Sequence, residues 1–225
     1  MDLDAYLEVR DRLIPIVSGS DPEVAVPACP GWHVRDVVAH LTGLCEDWVE
    51  GRLEGYASDS WTASQVERYS EWSVAGIIAR WRDLSDQFAA LGEDPLMGPP
   101  SRWAFGDAVI HEADVRGSLM AGRVPQDAVL LALKGSIGRW RHTLQPSEVP
   151  SLHLRTVEDR DWWLGDADDP HAAEVEAPLY EVFRALAGRR SEAQVRAWTW
   201  SRDPGPYLSV GPPYPFRWSS ADLRD

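Results

Sequence analysis

The chain has 225 residues, 44% of them apolar, which is enough to bury a sizeable core without disulfide or metal staples. Asp and Glu number 36 against 22 Lys and Arg, and the resulting net charge of −14 is spread along the chain rather than gathered in a tail. Nucleic acid and anionic membrane surfaces are thereby disfavoured as partners, because both call for a basic face.

The opening Met1-Asp2-Leu3-Asp4 lacks the charged and apolar regions of a signal peptide, and no apolar run approaches the roughly twenty residues that span a bilayer. A cytosolic protein is expected. Residues 4–17 carry Leu7, Leu13, Ile16 and Val17 at helical spacing and stop at Ser18-Gly19-Ser20-Asp21-Pro22, a first helix. Val26-Pro27-Ala28-Cys29-Pro30-Gly31-Trp32 is barred from helix by its prolines and leads into a second helix with the stripe Val34, Val37, Leu41, Leu44 and Trp48; His40 lies near the edge of that stripe. Cys29 and Cys45 are too few for a disulfide framework and match no zinc spacing, so they read as reduced, partly buried thiols.

From about Ala63 to Leu91 the apolar positions Val66, Tyr69, Ile77, Trp81, Leu84, Phe88 and Leu91 predict one long third helix, broken by Gly92 and the segment Pro95 to Pro100. A fourth helix is expected from about Ser101 to Met120, and a fifth from Pro125 to about Leu144. Gln145-Pro146-Ser147 reads as a linker. Beyond it the texture changes: Leu152 to Thr156 alternates, as does the vicinity of Trp162-Trp163-Leu164, and Pro178 to Leu186 is helical before Gly188-Arg189-Arg190. Residues 197–225, rich in Pro, Gly and aromatics, should be irregular with at most short strands. Trp198, Trp200 and Trp218, three of twelve tryptophans, read as core packing under loops or as the apolar wall of a pocket. The expected fold class is α+β, a helical bundle over 1–145 followed by a small α/β domain over 148–225.

Chemistry concentrates on the fourth helix. Asp107 and His111 stand four apart, so a helix projects them from one face, and that face otherwise carries the small or acidic Ala104, Ala108, Asp114, Val115 and Ser118. Facing helices of a bundle can add His40 to them, giving a three-ligand set with open coordination positions suited to Zn²⁺ and also to Fe²⁺, Ni²⁺, Co²⁺ or Mn²⁺. Asp-x-x-x-His is a weak pattern, however: a bundle-edge histidine is more often a hydrogen-bonded structural residue, and Asp107 can simply face solvent. Asp36 and Asp114 are candidates to accept the second ring N–H of the two histidines, or to pair with Arg35 and Arg116 instead. His33, His142, His153 and His171 read as exposed or structural. Neither a nucleophile elbow, a P-loop nor a dinucleotide fingerprint occurs, and neither cysteine has an evident activating neighbour.

The run from Val26 to Leu41, with its Cys-Pro-Gly-Trp turn feeding a helix that ends in His40, resembles the opening of the mycothiol-dependent maleylpyruvate isomerase family of DinB-like metal-binding bundles. The Asp107/His111 pair with downstream Asp114, Gly188-Arg189-Arg190 after a helix, and Trp200-Ser201-Arg202-Asp203-Pro204-Gly205-Pro206-Tyr207-Leu208 extend the resemblance over nearly the whole chain. It implies a DinB-like four-helix bundle plus a small α/β domain, a divalent metal (zinc first) held by His40, Asp107 and His111, and mycothiol as cosubstrate. The implied function is a thiol-dependent isomerase or S-transferase acting on a small electrophile through a metal-bound thiolate, with Arg189 a candidate to meet an anionic group. A non-catalytic binding module and a hydrolase using metal-bound water are the other readings. The family usually has Glu where this chain has Asp107, one methylene shorter.

Overall fold

The computed structural model describes residues 3–91 and 100–225. The predicted break at Gly92 and most of the Pro95 to Pro100 segment lie outside the described residues. The helices α1 (Leu3–Ser18), α2 (Val34–Glu50), α3 (Asp59–Arg68), α4 (Val74–Ala89) and α5 (Pro100–Ser118) come first. They are followed by α6 (Gln126–Leu144), a 3-10 turn at Gln145–Ser147, β1 (Leu152–Thr156), β2 (Asp161–Leu164), β3 (Ala173–Ala177), α7 (Leu179–Leu186), α8 (Glu192–Arg196), β4 (Thr199–Trp200) and α9 (Gly205–Val210). None of the described helices is long and apolar enough to cross a membrane.

The chain divides into two compact units, Met1–Val124 with Asp225, and Pro125–Arg224. This moves the boundary expected at 145–148. Helix α6 groups with the sheet because its apolar face is covered there, against α7, β2 and α9, and Trp140 Nε1 donates to the Gly211 carbonyl at 3.1 Å. Gln145–Ser147 is therefore a turn inside the second unit.

In the first unit α1, α2, α4 and α5 pack on one another, and α3 lies along α2. Helix α2 is enclosed: every residue from Val37 to Trp48 is buried. Gly51, in the left-handed conformation at φ 70°, ends it. The single long helix expected over 63–91 is two. Its apolar periodicity runs through the break, but Tyr69 ends α3, and the Ser73 side chain accepts the Gly76 N–H at 3.2 Å to start α4 afresh.

In the second unit the sheet order is β2-β1-β3-β4, with β1 and β3 parallel and both outer pairs antiparallel. Strand β3, Ala-Glu-Val-Glu-Ala, was not anticipated; its alternation buries Ala173, Val175 and Ala177. Trp198, Trp200 and Trp218 pack against Ala185, Val195 and Leu208, and two of them bond the backbone, Trp200 to Val195 O and Trp218 to Leu208 O. Packing is thus their main employment.

Candidate metal centre

The first unit brings His40, Asp107, His111 and Asp114 together. His40 Nε2 lies 2.9 Å from Asp107 Oδ2, and His111 Nε2 lies 3.7 Å from Asp107 Oδ1. The rings of His40 and His111 meet edge to face with centroids 4.9 Å apart. The three donor atoms lie within 4.8 Å of one another, close enough to converge on one ion. Although Asp107 is a short side chain, it reaches both rings.

The far nitrogens are occupied. His111 Nδ1 lies 3.0 Å from Asp114 Oδ2, and His40 Nδ1 lies 2.7 Å from Gln65 Oε1. A ring that donates from Nδ1 to a carboxylate or carbonyl presents its Nε2 lone pair outward, the tautomer that a ligand histidine needs. Asp36 does not take this part for His40. It sits at the third position of α2, where it accepts the His33 backbone N–H at 2.8 Å and lies 3.3 Å from His33 Nδ1. The unpaired amide at the helix start claims it first.

Three neighbours escaped the sequence reading of the site. Cys29 Sγ donates to Asp114 Oδ2 at 3.3 Å and lies 3.7 Å from His111 Nδ1, so the Cys-Pro-Gly-Trp turn contributes a second group of possible ligands, Cys29, His111 and Asp114. Trp32 covers both imidazoles, 5.3 Å from His40 and 6.0 Å from His111 between ring centroids. That motif was visible; what it packs against was not. Gln65, fully buried, left no signal, being one polar residue on a helix of mixed character.

The burial is uneven. The His40 and His111 side chains are 5% and 7% exposed, Asp114 is sealed, and Asp107 is 29% exposed, so solvent reaches the cluster past Asp107. Two carboxylates facing two imidazoles in a largely dry space need positive charge for balance, and a divalent cation on the two Nε2 atoms and Asp107 would supply it. The donor set therefore fits a metal. Arg189 belongs to the second unit, where Nη1 donates to the Ala187 carbonyl at 2.7 Å and the guanidinium lies 5.7 Å from the Phe216 ring centroid.

Residues 7–116 match the family described as mycothiol maleylpyruvate isomerase N-terminal domain. The fold is similar to that of two crystal structures of the mycothiol-dependent maleylpyruvate isomerase, one a histidine-to-alanine mutant. TM-scores are 0.59 for the mutant and 0.57 for the other, at 16% and 15% identity, each covering 96% of this chain and 95% of that one. Among curated proteins, glucans biosynthesis glucosyltransferase H of Pseudomonas aeruginosa (strain UCBPP-PA14) is 35% identical over 123 residues, 51% of this chain. This chain spans 14% of that relative's length. Cys29, His40, Gln65, Asp107, His111 and Asp114 all fall inside residues 7–116, the stretch that matches the N-terminal domain of the mycothiol maleylpyruvate isomerase family.

Proposed function

We propose that the protein is a thiol-dependent metalloenzyme, an isomerase or S-transferase that uses mycothiol on a small electrophilic substrate. The observation that carries this reading is the pair of histidines whose Nδ1 atoms both face acceptors while their Nε2 atoms face Asp107, in a chain of this family. His40, Asp107 and His111 are the proposed ligands of a divalent ion, zinc first and Fe, Ni, Co or Mn by the same donor chemistry. Such an ion supplies Lewis acidity that keeps a thiol deprotonated near neutral pH.

The side chains do the rest. Asp114 holds His111 in its ligand tautomer, and Trp32 covers the ring faces and excludes water from them. Asp107, the exposed member, marks where thiol and substrate enter. A thiolate positioned there adds to a conjugated double bond; rotation and elimination then return the thiol with the alkene inverted, whereas retained addition or displacement gives an S-conjugate. Neither cysteine is joined in a disulfide, which suits a reducing cytoplasm.

The test pairs elemental analysis with turnover. Purified protein should carry a divalent metal that His111→Ala lacks; equal metal in both removes the site. Metal-loaded protein should isomerise or S-conjugate some member of a panel of activated alkenes, epoxides and halides only when mycothiol is added. Absence of turnover together with absence of mycothiol binding by calorimetry defeats the enzyme reading, and turnover without thiol replaces it by a hydrolytic one.

A further inference from the structure

Helix α2 carries a short stripe, His40, Gly43 and Asp47, at three- and four-residue spacing and therefore on one face. Helix α3 lies along it. Gly43 is where the two backbones come close: a Cβ at that position would stand 2.6 Å from Gln65 Cβ and 3.0 Å from Gln65 Cα. With no side chain there, Gln65 fits between the two polar residues of the stripe. Its Oε1 lies 2.7 Å from His40 Nδ1, and its Nε2 donates to Asp47 Oδ2 at 2.8 Å. The other oxygen of Asp47 receives Arg52 Nε and Arg68 Nη2, each at 2.8 Å. Gln65 and Asp47 are both buried, so each of these polar atoms depends on its protein partners.

The order of groups admits one arrangement of hydrogens. Asp47, gripped by two guanidinium groups, is an acceptor only. Turning the Gln65 amide over would set its oxygen against a carboxylate oxygen at 2.8 Å in a dry interior. The NH₂ therefore faces Asp47 and the carbonyl faces the imidazole, which obliges His40 Nδ1 to carry a proton and leaves Nε2 to face Asp107.

We infer that Gln65 is a positioning residue: seated by Gly43 and oriented by Asp47 with Arg52 and Arg68, its carbonyl fixes the ring of His40 and the nitrogen His40 offers to a metal. This inference rests on the reading of His40 as a ligand, yet the hydrogen it assigns is measurable with no metal present. In ion-free protein with ¹⁵N-labelled histidine, Nδ1 of His40 carries a slowly exchanging proton whatever the state of Nε2; a bare Nδ1 facing Gln65 overturns the inference. Gln65→Met keeps the length and removes the amide, and is expected to weaken zinc binding, measured against a competing chelator, by about 10–100-fold, while the Nδ1 proton becomes rapidly exchanging. Gly43→Ala, which displaces Gln65 without altering its chemistry, should move both readings the same way. Wild-type affinity and exchange in Gln65→Met count against the proposal. If the wild type takes up no zinc, the metal reading fails by itself, and the proton on Nδ1 still decides what holds His40.

Discussion

Single residues in this chain owe their chemistry to what α2 is packed against. Cys45, one turn and a residue past His40, is pushed up to about 12 by burial, against the smaller opposing pull of a hydrogen bond with Tyr6. Its folded value lies above the ordinary 9.0, so the fold is favoured fully below that pH and loses this contribution as pH rises from 9.0 towards about 12. Maleimide at neutral pH should leave Cys45 unmodified in native protein and label it on unfolding, as read by peptide mass spectrometry; labelling faster than unfolding would show the burial to be wrong. Cys29, by contrast, sits beside His111 and Asp114; its Cys-Pro-Gly-Trp turn stood out in the sequence, but the groups its thiol would meet did not. Asp107 and His111 were legible because helical spacing alone sets them on one face. Gln65 was not, since its role depends on an empty Cβ position in another helix.

Between elements, charge does much of the joining. Glu46 on α2 receives Arg80 of α4 at 2.7 Å and Arg68 of α3 at 2.8 Å, and Arg52 closes on it at 3.1 Å. Burial alone would raise its carboxyl, but the hydrogen bonds from Arg80 and Arg68 win and hold it below the ordinary 4.5. A depressed value means that the contribution is complete above pH 4.5 and is lost as pH falls through the folded value. Glu46→Gln should therefore be less stable than the wild type at pH 7 in urea unfolding, with the gap shrinking on acidification below 4.5; a gap that widens would contradict the assignment. The elements themselves were largely readable: α1, α2, α5 and α6 lie within a residue or two of their expected bounds. The exceptions have local causes. A hydroxyl cap at Ser73 splits an otherwise continuous periodicity, and Glu174 and Glu176, poor strand formers, disguise the alternation of β3.

At the scale of the whole chain, the first unit is closed by a contact between residues a hundred positions apart. Glu112 of α5, fully buried, takes Arg12 of α1 through both oxygens, at 3.1 and 2.8 Å, and Arg116 at 2.9 Å. Removing the carboxylate takes from two guanidinium groups the acceptor they share, so Glu112→Ala should lower stability by about 3 kcal/mol in denaturant unfolding, near the lower end for a buried pair because Arg12 touches water and Arg116 keeps the Ala121 carbonyl. A loss under about 1 kcal/mol would mean that solvent substitutes for the carboxylate. The sequence showed that the helices precede the sheet, yet not that α6 would desert them for it, because an amphipathic helix does not specify its partner. Helix α2, finally, is covered on all sides from Val37 to Trp48. A helix so placed has no free flank along which to slide or rotate, and His40 inherits that immobility. Were the proposed ion bound there, adjustment to ions of different radius would fall to Asp107, the one of the three proposed ligands that solvent reaches: the shortest side chain of the three would also be the one left to move.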